Sequence, residues 1–299
     1  ASFTRMRETE YVDSTPVTIH AEVQQYGIDQ VRVRGEGPVR LTFSGAQTTS
    51  LLPTGAWSGR AVWWSQRSES SAPALTREVD LRGVDSATLS FRAWWELEPG
   101  WDYAYVLVST DGGMTWTPQV STSSTDDDPH GSNYGHGLSG MSGAQNPVIG
   151  PARWTLETVD LSAYAGQVIL LRFIVISDEG LTLSGLALDD IAIPEIGFFD
   201  AVETDGDWVA DGFVRIHNRV PQRWALVAVL EGPQGVQVQA LPVVNGSAAL
   251  DVNLDDVERV SLLISGLARF TTQSAPYRVE VAASSSWDVA HSICPPLSP

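Results

Sequence analysis

Short runs that alternate apolar and polar residues, separated by Gly, Pro, Asn and Asp, recur along this chain, and no stretch carries the 3.6-residue period of a helix. That leaves an all-β fold. The pattern is densest from Leu89 to Trp116, LSFRAWWELEPGWDYAYVLVSTDGGMTW. Two alternating runs meet there through the acidic corner Glu96 to Asp102, and Asp111-Gly112-Gly113 supplies a tight turn because glycine accepts positive φ. Two strands do not fold alone, so the flanking sequence must complete a sheet.

Further strands are expected at RAVWWS (60–65), LTREVDL (75–81), RWTLETVDL (153–161), VILLRFIVIS (168–177) and LALDDIAI (186–193). REVDL followed by LSFRAWW is echoed by ETVDL followed by LLRFIVI, two strand-loop-strand units of the kind that build a β-sandwich of jelly-roll type. Between them, residues 121–150 are rich in Ser and Gly and hold Asp126-Asp127-Asp128, His130 and His136. The spacing matches no metal motif, and a solvated, mobile loop is expected. The adjacent pairs Trp63-Trp64 and Trp94-Trp95 each send one ring to the core and the other outward or under a covering segment.

The last third alternates again, in five short strands between 225 and 282, and suggests a smaller immunoglobulin-like sandwich. Asp29 to Arg34 and Val39 to Ser44 flank the turn cluster Gly35 to Pro38, read as a hairpin, and have no neighbouring sheet in sequence. Assigning them to that C-terminal sandwich makes it discontinuous. The expected organisation is a leading arm at 1–19, an immunoglobulin-like sandwich from 20–50 plus 198–285, a jelly roll at 51–197, and a tail at 286–299. Insertion at a loop tip is tolerated when the ends of the inserted domain lie close together.

Charge narrows the partners. With a formal charge of -18, the chain would be repelled by the nucleic-acid backbone and by anionic membranes, so neither nucleic-acid binding nor membrane insertion is expected. The one cysteine, Cys294, excludes an internal disulfide framework and a multi-cysteine zinc site. No run reaches the roughly 20 apolar residues of a membrane helix. None of the five histidines is followed by Glu, and neither Ser139 nor Ser142 sits in a G-x-S-x-G frame. Enzyme activity is not expected.

The ordered succession WWS, LTREVDL, ATLSFRAWWELEPGWDYAYVLVSTDGGMTW, RWTLETVDLSAYAGQVILLRFIVISDEG and LALDDIAI resembles the MAM-like jelly-roll module of the immune inhibitor A family of secreted bacterial metallopeptidases. WVADGFVRIHNRVPQRW (208–224) is similar to the segment C-terminal to that module in secreted proteins of this type. The family's peptidase uses H-E-x-x-H to hold zinc, a motif this chain lacks. The resemblance therefore implies a non-catalytic extracellular module, and a structural calcium near the acidic residue before the last strand.

Calcium takes six to eight oxygen ligands, well supplied by carboxylates from loops converging at a sheet end. Glu98, Asp102, Asp178, Asp189 and Asp190 are the candidates, although strand alternation should point Asp189 and Asp190 to opposite faces. Trp101, at the acidic corner, is the candidate ring for stacking on a sugar. Two roles are compatible with these features. One is a calcium-stabilised binding or adhesion module acting on a glycan or protein ligand at a bacterial cell surface. The alternative is a structural subunit of an extracellular filament or surface assembly, whose terminal arms dock on copies of itself.

Overall fold

The computed structural model describes residues 7–12, 16–144 and 150–284. The expectations for the tail at 286–299 and for Cys294 lie outside the described residues. Among the described residues the regular structure is nearly all strand, as the alternation requires, with three short 3₁₀ turns. The chain divides into two compact units, residues 54–218 and residues 1–53 with 219–299.

In the 54–218 unit two sheets face each other. One runs in the order Thr117–Pro118, Tyr103–Ser109, Val168–Ile176, Ala74–Asp80, Val209–Asp211. The other runs Thr155–Asp160, Thr88–Glu96, Gly185–Ile193, Val62–Trp64, Val214–Ile216, with Phe198–Asp200 also paired to Gly185–Ile193. Odd-numbered residues of Thr88–Glu96 (Leu89, Phe91, Trp95) meet odd-numbered residues of Val168–Ile176 (Ile169, Leu171, Phe173, Val175) in one core. Phe91 and Phe173 pack edge to face at 5.0 Å. The period-2 pattern thus becomes a single buried layer.

The sequence echo has a structural counterpart. Ala74–Asp80 pairs antiparallel with Val168–Ile176, and Thr155–Asp160 with Thr88–Glu96, so the short strand of each repeat pairs with the long strand of the other. Leu81 donates its N–H to the Gln167 carbonyl and Leu161 to the Ala87 carbonyl, and both leucines are fully buried. The acidic corner carries the chain from one sheet to the other. All four paired tryptophans are buried. Trp63 and Trp95 belong to the inter-sheet core, while Trp64 anchors its indole N–H on the Ser184 carbonyl.

The other unit is a second sandwich. Its five-stranded sheet runs Arg7–Val12, Asp29–Arg34, Arg259–Gly266, Trp224–Gly232, Gly235–Ala240, and its four-stranded sheet runs Val17–Val23, Ala275–Ala283, Pro38–Gly45, Ser247–Asn253. Val31, Val33, Leu262 and Ile264 from the first sheet pack on Leu41, Phe43, Val279 and Val281 from the second.

Three expectations are corrected here. Asp29–Arg34 and Pro38–Gly45 are not a hairpin, because the Gly35 to Gly37 turn passes the chain between the two sheets and both strands turn their apolar rows into the same core. The leading arm contributes strands, with Arg7–Val12 pairing parallel to Asp29–Arg34 and Val17–Val23 pairing with Ala275–Ala283. Residues 198–218, assigned from sequence to the second sandwich, instead add strands to both sheets of the first.

Candidate functional site

The acidic corner is built by a tight turn. The Glu98 carbonyl accepts the N–H groups of Trp101 (3.2 Å) and Asp102 (3.0 Å), closing the chain between Thr88–Glu96 and Tyr103–Ser109. Gly100 holds φ at +79°, and a Cβ there would stand 2.8 Å from Pro129, so glycine serves both the turn and the close approach.

Asp102 lies beneath this turn, only 5% exposed. Its Oδ1 accepts the Asp178 N–H at 3.1 Å, and its Oδ2 lies 3.5 Å from the Glu98 N–H. Asp178 Oδ1 in turn accepts the Gly180 N–H (2.7 Å), and Glu98 Oε2 accepts the Leu181 N–H (2.9 Å). Three predicted carboxylates thus come together and cross-tie the corner to the loop after Val168–Ile176. Burial pushes the Asp102 carboxyl above its ordinary pKa; the two backbone donors pull it back in part, and the charges of Asp178 and Glu98 push it up further. Below Asp102 a cavity of about 10 Å³, lined by Ser65, Glu96, Asp102 and Ser177 among others, has room for one water-sized occupant.

Asp189 and Asp190 are placed apart from this trio. The register between Gly185–Ile193 and Thr88–Glu96 shifts between Asp189 and Ala192, and Asp190 takes φ +44°. This bulge overrides the expected alternation. Both carboxylates converge on Ser58, whose N–H bonds Asp189 Oδ2 (3.0 Å) and whose hydroxyl bonds Asp190 Oδ1 (2.7 Å). Asp189 is fully buried and its pKa is pushed up to about 6 by that burial, against the pull of the Ser58, Asp190 and Trp57 backbone donors. The pair clamps the 54–60 segment.

Calcium chemistry fits the oxygen donors of the Glu98, Asp102 and Asp178 trio. A Cβ built on Gly180 would lie 2.9 Å from both Glu98 Oε2 and Asp178 Oδ1, so glycine lets the loop pass close to the two carboxylates. They are nonetheless turned toward backbone N–H groups. Among the described residues no group of three or more His, Cys, Asp or Glu is arranged so that it could hold a metal ion.

Trp101 is 38% exposed and lies flat against His130, ring centroids 4.0 Å apart and planes 7° from parallel. The segment that brings His130 there was expected to be mobile. Residues 121–144 instead form a strap with many anchors: Tyr103 Oη donates to the Asp127 carbonyl, Tyr105 Oη donates to Asn133 Oδ1, and Ala104 and Leu138 exchange backbone bonds. Its start is fixed by Glu157, fully buried, which accepts the Ser123 N–H on Oε2 and the Ser123 hydroxyl on Oε1, each at 2.8 Å. Sequence reasoning missed both His130 as a ring partner and Glu157 as an anchor. A carboxylate two residues before the core residue Val159, on the same face of an alternating strand, was the available signal for Glu157.

Two facing antiparallel sheets whose strands cross repeatedly between layers define a jelly-roll-type β-sandwich module. The chain belongs to the immune inhibitor A-like MAM domain family, whose model matches residues 22–218. It is 29% identical over 180 residues to the pre-pro-metalloprotease PrtV of Vibrio cholerae serotype O1, covering 59% of this chain and 18% of that protein. It is 27% identical over 151 residues to bacillopeptidase F of Bacillus subtilis (49% of this chain, 9% of that protein). To immune inhibitor A of Bacillus thuringiensis subsp. alesti it is 25% identical over 183 residues (60% and 24%). The chain thus spans less than a quarter of the length of these relatives, and the family matched is a MAM domain. Among the described residues no helix is long and apolar enough to cross a membrane.

Proposed function

We propose that this chain is a non-catalytic, extracellular binding or adhesion module of a secreted or cell-surface bacterial protein, with the acidic corner as its ligand surface and a glycan as its ligand. One observation carries the reading: Trp101 is exposed yet held flat in a stacked pair with His130 on a corner cross-tied by three carboxylates. A fixed aromatic slab beside hydrogen-bonding oxygens is the arrangement on which a sugar ring stacks. The absence of an H-E-x-x-H sequence and the match to a MAM domain support the non-catalytic part. The metalloprotease and peptidase names of the relatives support an accessory role beside such an enzyme.

Calcium is proposed as a structural ion at the same corner, with Glu98, Asp102 and Asp178 supplying its carboxylates. Uptake requires Glu98 and Asp178 to turn from their loop N–H groups to the ion, so binding is expected to be weak, in the millimolar range of extracellular modules. A glycan screen with the wild type and Trp101→Ala tests the main reading. Saturable binding to one sugar class that is lost in Trp101→Ala at unchanged melting temperature is expected; equal binding by both proteins would remove the corner from the account. A second reading, a subunit of an extracellular filament or surface assembly, is favoured by one uncovered sheet edge.

A further inference from the structure

Strand edges carry unpaired N–H and C=O groups, and proteins protect them with charge, proline or shortness. Nearly every edge here obeys that rule. In the 54–218 unit the edge strands Thr117–Pro118, Val209–Asp211 and Val214–Ile216 have two or three residues, and Thr155–Asp160 carries Glu157 and Asp160. In the other unit Val17–Val23 carries His20 and Glu22, Ser247–Asn253 carries Asp251 paired with Arg40, and the sequence of Arg7–Val12 is RETEYV.

Gly235–Ala240, GVQVQA, breaks it. The strand ends the five-stranded sheet and is six residues long, without a charge or a proline, and all six residues are exposed, Val236 at 65% and Val238 at 69%. Its hydrogen-bonding phase is fixed by the neighbouring strand. Gly232 pairs with Gly235 across the turn, and the Leu241 N–H reaches the Leu226 carbonyl. Pairs alternate in an antiparallel ladder, so residues 235, 237 and 239 bond inward and Val236, Val238 and Ala240 aim their N–H and C=O groups outward. Val236 and Val238 share a face with the half-buried Val227 and Val229, which extends the edge into an apolar strip. The nearest carboxylate on that face, Glu231, is paired with Arg259.

We infer that Gly235–Ala240 is a homotypic pairing edge, on which the same strand of a second copy adds antiparallel about a two-fold axis. Antiparallel addition makes the contact isologous, with each outward residue both donor and acceptor to its counterpart. Self-complementarity argues for the copy as occupant, because an uncharged strand that adds antiparallel about a two-fold axis meets the same uncharged strand. A chain of net charge -18 repels its own kind over most of its surface, and this neutral strip is where two copies meet with least repulsion, whereas a cationic partner would be drawn to the acidic surface instead. A pair of six-residue strands buries less than the roughly 1,200 Å² of a stable specific interface, so the dimer is weak and reversible. Screening the net charge strengthens it, and salt therefore promotes association, the reverse of an ion-paired interface. This inference belongs to the assembly reading and is independent of Trp101.

Amide exchange across a concentration series, with sedimentation in parallel, tests it in the wild type, Val236→Lys and Val238→Pro. Val238→Pro removes one outward N–H, and Val236→Lys adds charge without touching the backbone. In the wild type the amides of 236, 238 and 240 should slow by about tenfold on going from dilute to concentrated protein in high salt, while 237 and 239 stay protected throughout. Both variants should remain monomeric with Trp101-dependent binding intact. Fast exchange of the three outward amides at every concentration would overturn the inference, as would protection that persists on dilution, which would mean that the same chain covers the edge. Dimers that survive Val236→Lys would equally assign association to another surface. Filaments whose three outward amides remain exposed would keep the assembly reading while rejecting this edge.

Discussion

Replacing Ser123 by alanine removes one of the two donors that hold the buried Glu157 carboxylate and, with it, the start of the 121–144 strap. The Ser123 hydroxyl reaches Oε1 and its backbone N–H reaches Oε2, both at 2.8 Å, and Glu157 has no solvent contact to compensate. A hydrogen bond to a charged acceptor contributes about 1.5–3 kcal/mol, and an orphaned buried oxygen keeps its desolvation cost, so Ser123→Ala should destabilise by about 2 kcal/mol. For a unit of this size that lowers Tm by about 4–8 °C. Glu157→Gln should cost less, about 1 kcal/mol, because the serine hydroxyl can rotate to accept from the new amide. Urea titrations of both single variants and the double variant give the coupling, expected to exceed about 0.5 kcal/mol with unchanged m-values. Additive effects, or a Ser123→Ala cost below about 0.5 kcal/mol, would refute the anchoring argument. So would faster amide exchange confined to 123–138 at unchanged global stability, since the strap would then open on its own.

The carboxylates lead to two further expected outcomes. Asp189 has its folded pKa raised to about 6 from 3.8, so its contribution is complete below about pH 4 and is lost as pH rises through 6, about 3 kcal/mol in all. Relative to Asp189→Asn, the wild type should lose that amount between pH 4 and pH 7 in urea titrations, and parallel profiles would contradict it. Millimolar calcium should raise the Tm of the wild type above its value in excess chelator and leave Asp102→Asn unmoved; equal melts for the wild type would remove the ion from the corner.

Alternation made most strands legible, because a residue's face follows from its parity, and the buried sets Leu89, Phe91 and Ile169, Leu171 obey it. It could not say which sheet a strand joins. Gly35 to Gly37 suits a hairpin turn as well as a crossing between layers, and only packing of Val31 and Leu41 into the same core decides. The acidic corner was readable as a cluster, since Glu98 and Asp102 are neighbours in sequence and Asp178 closes a strand that pairs with the one after the corner. The shared orientation of Asp189 and Asp190 toward Ser58 was not readable, because a bulge is a local backbone choice that parity does not encode. The strap looked mobile because Ser and Gly carry no apolar period. Its anchors are tyrosine hydroxyls and a buried glutamate from elsewhere in the chain, tertiary contacts with no local signature.

The measurement that bears most directly on the proposed ligand surface is a two-dimensional NMR titration of the tryptophan indole N–H and backbone amides with the sugar class selected by the glycan screen. The account predicts that the Trp101 indole and the amides of Gly100 and the adjoining strap shift together and saturate, with the second sandwich unmoved. Shifts centred away from the corner, or saturable binding that leaves the Trp101 signal in place, would contradict it.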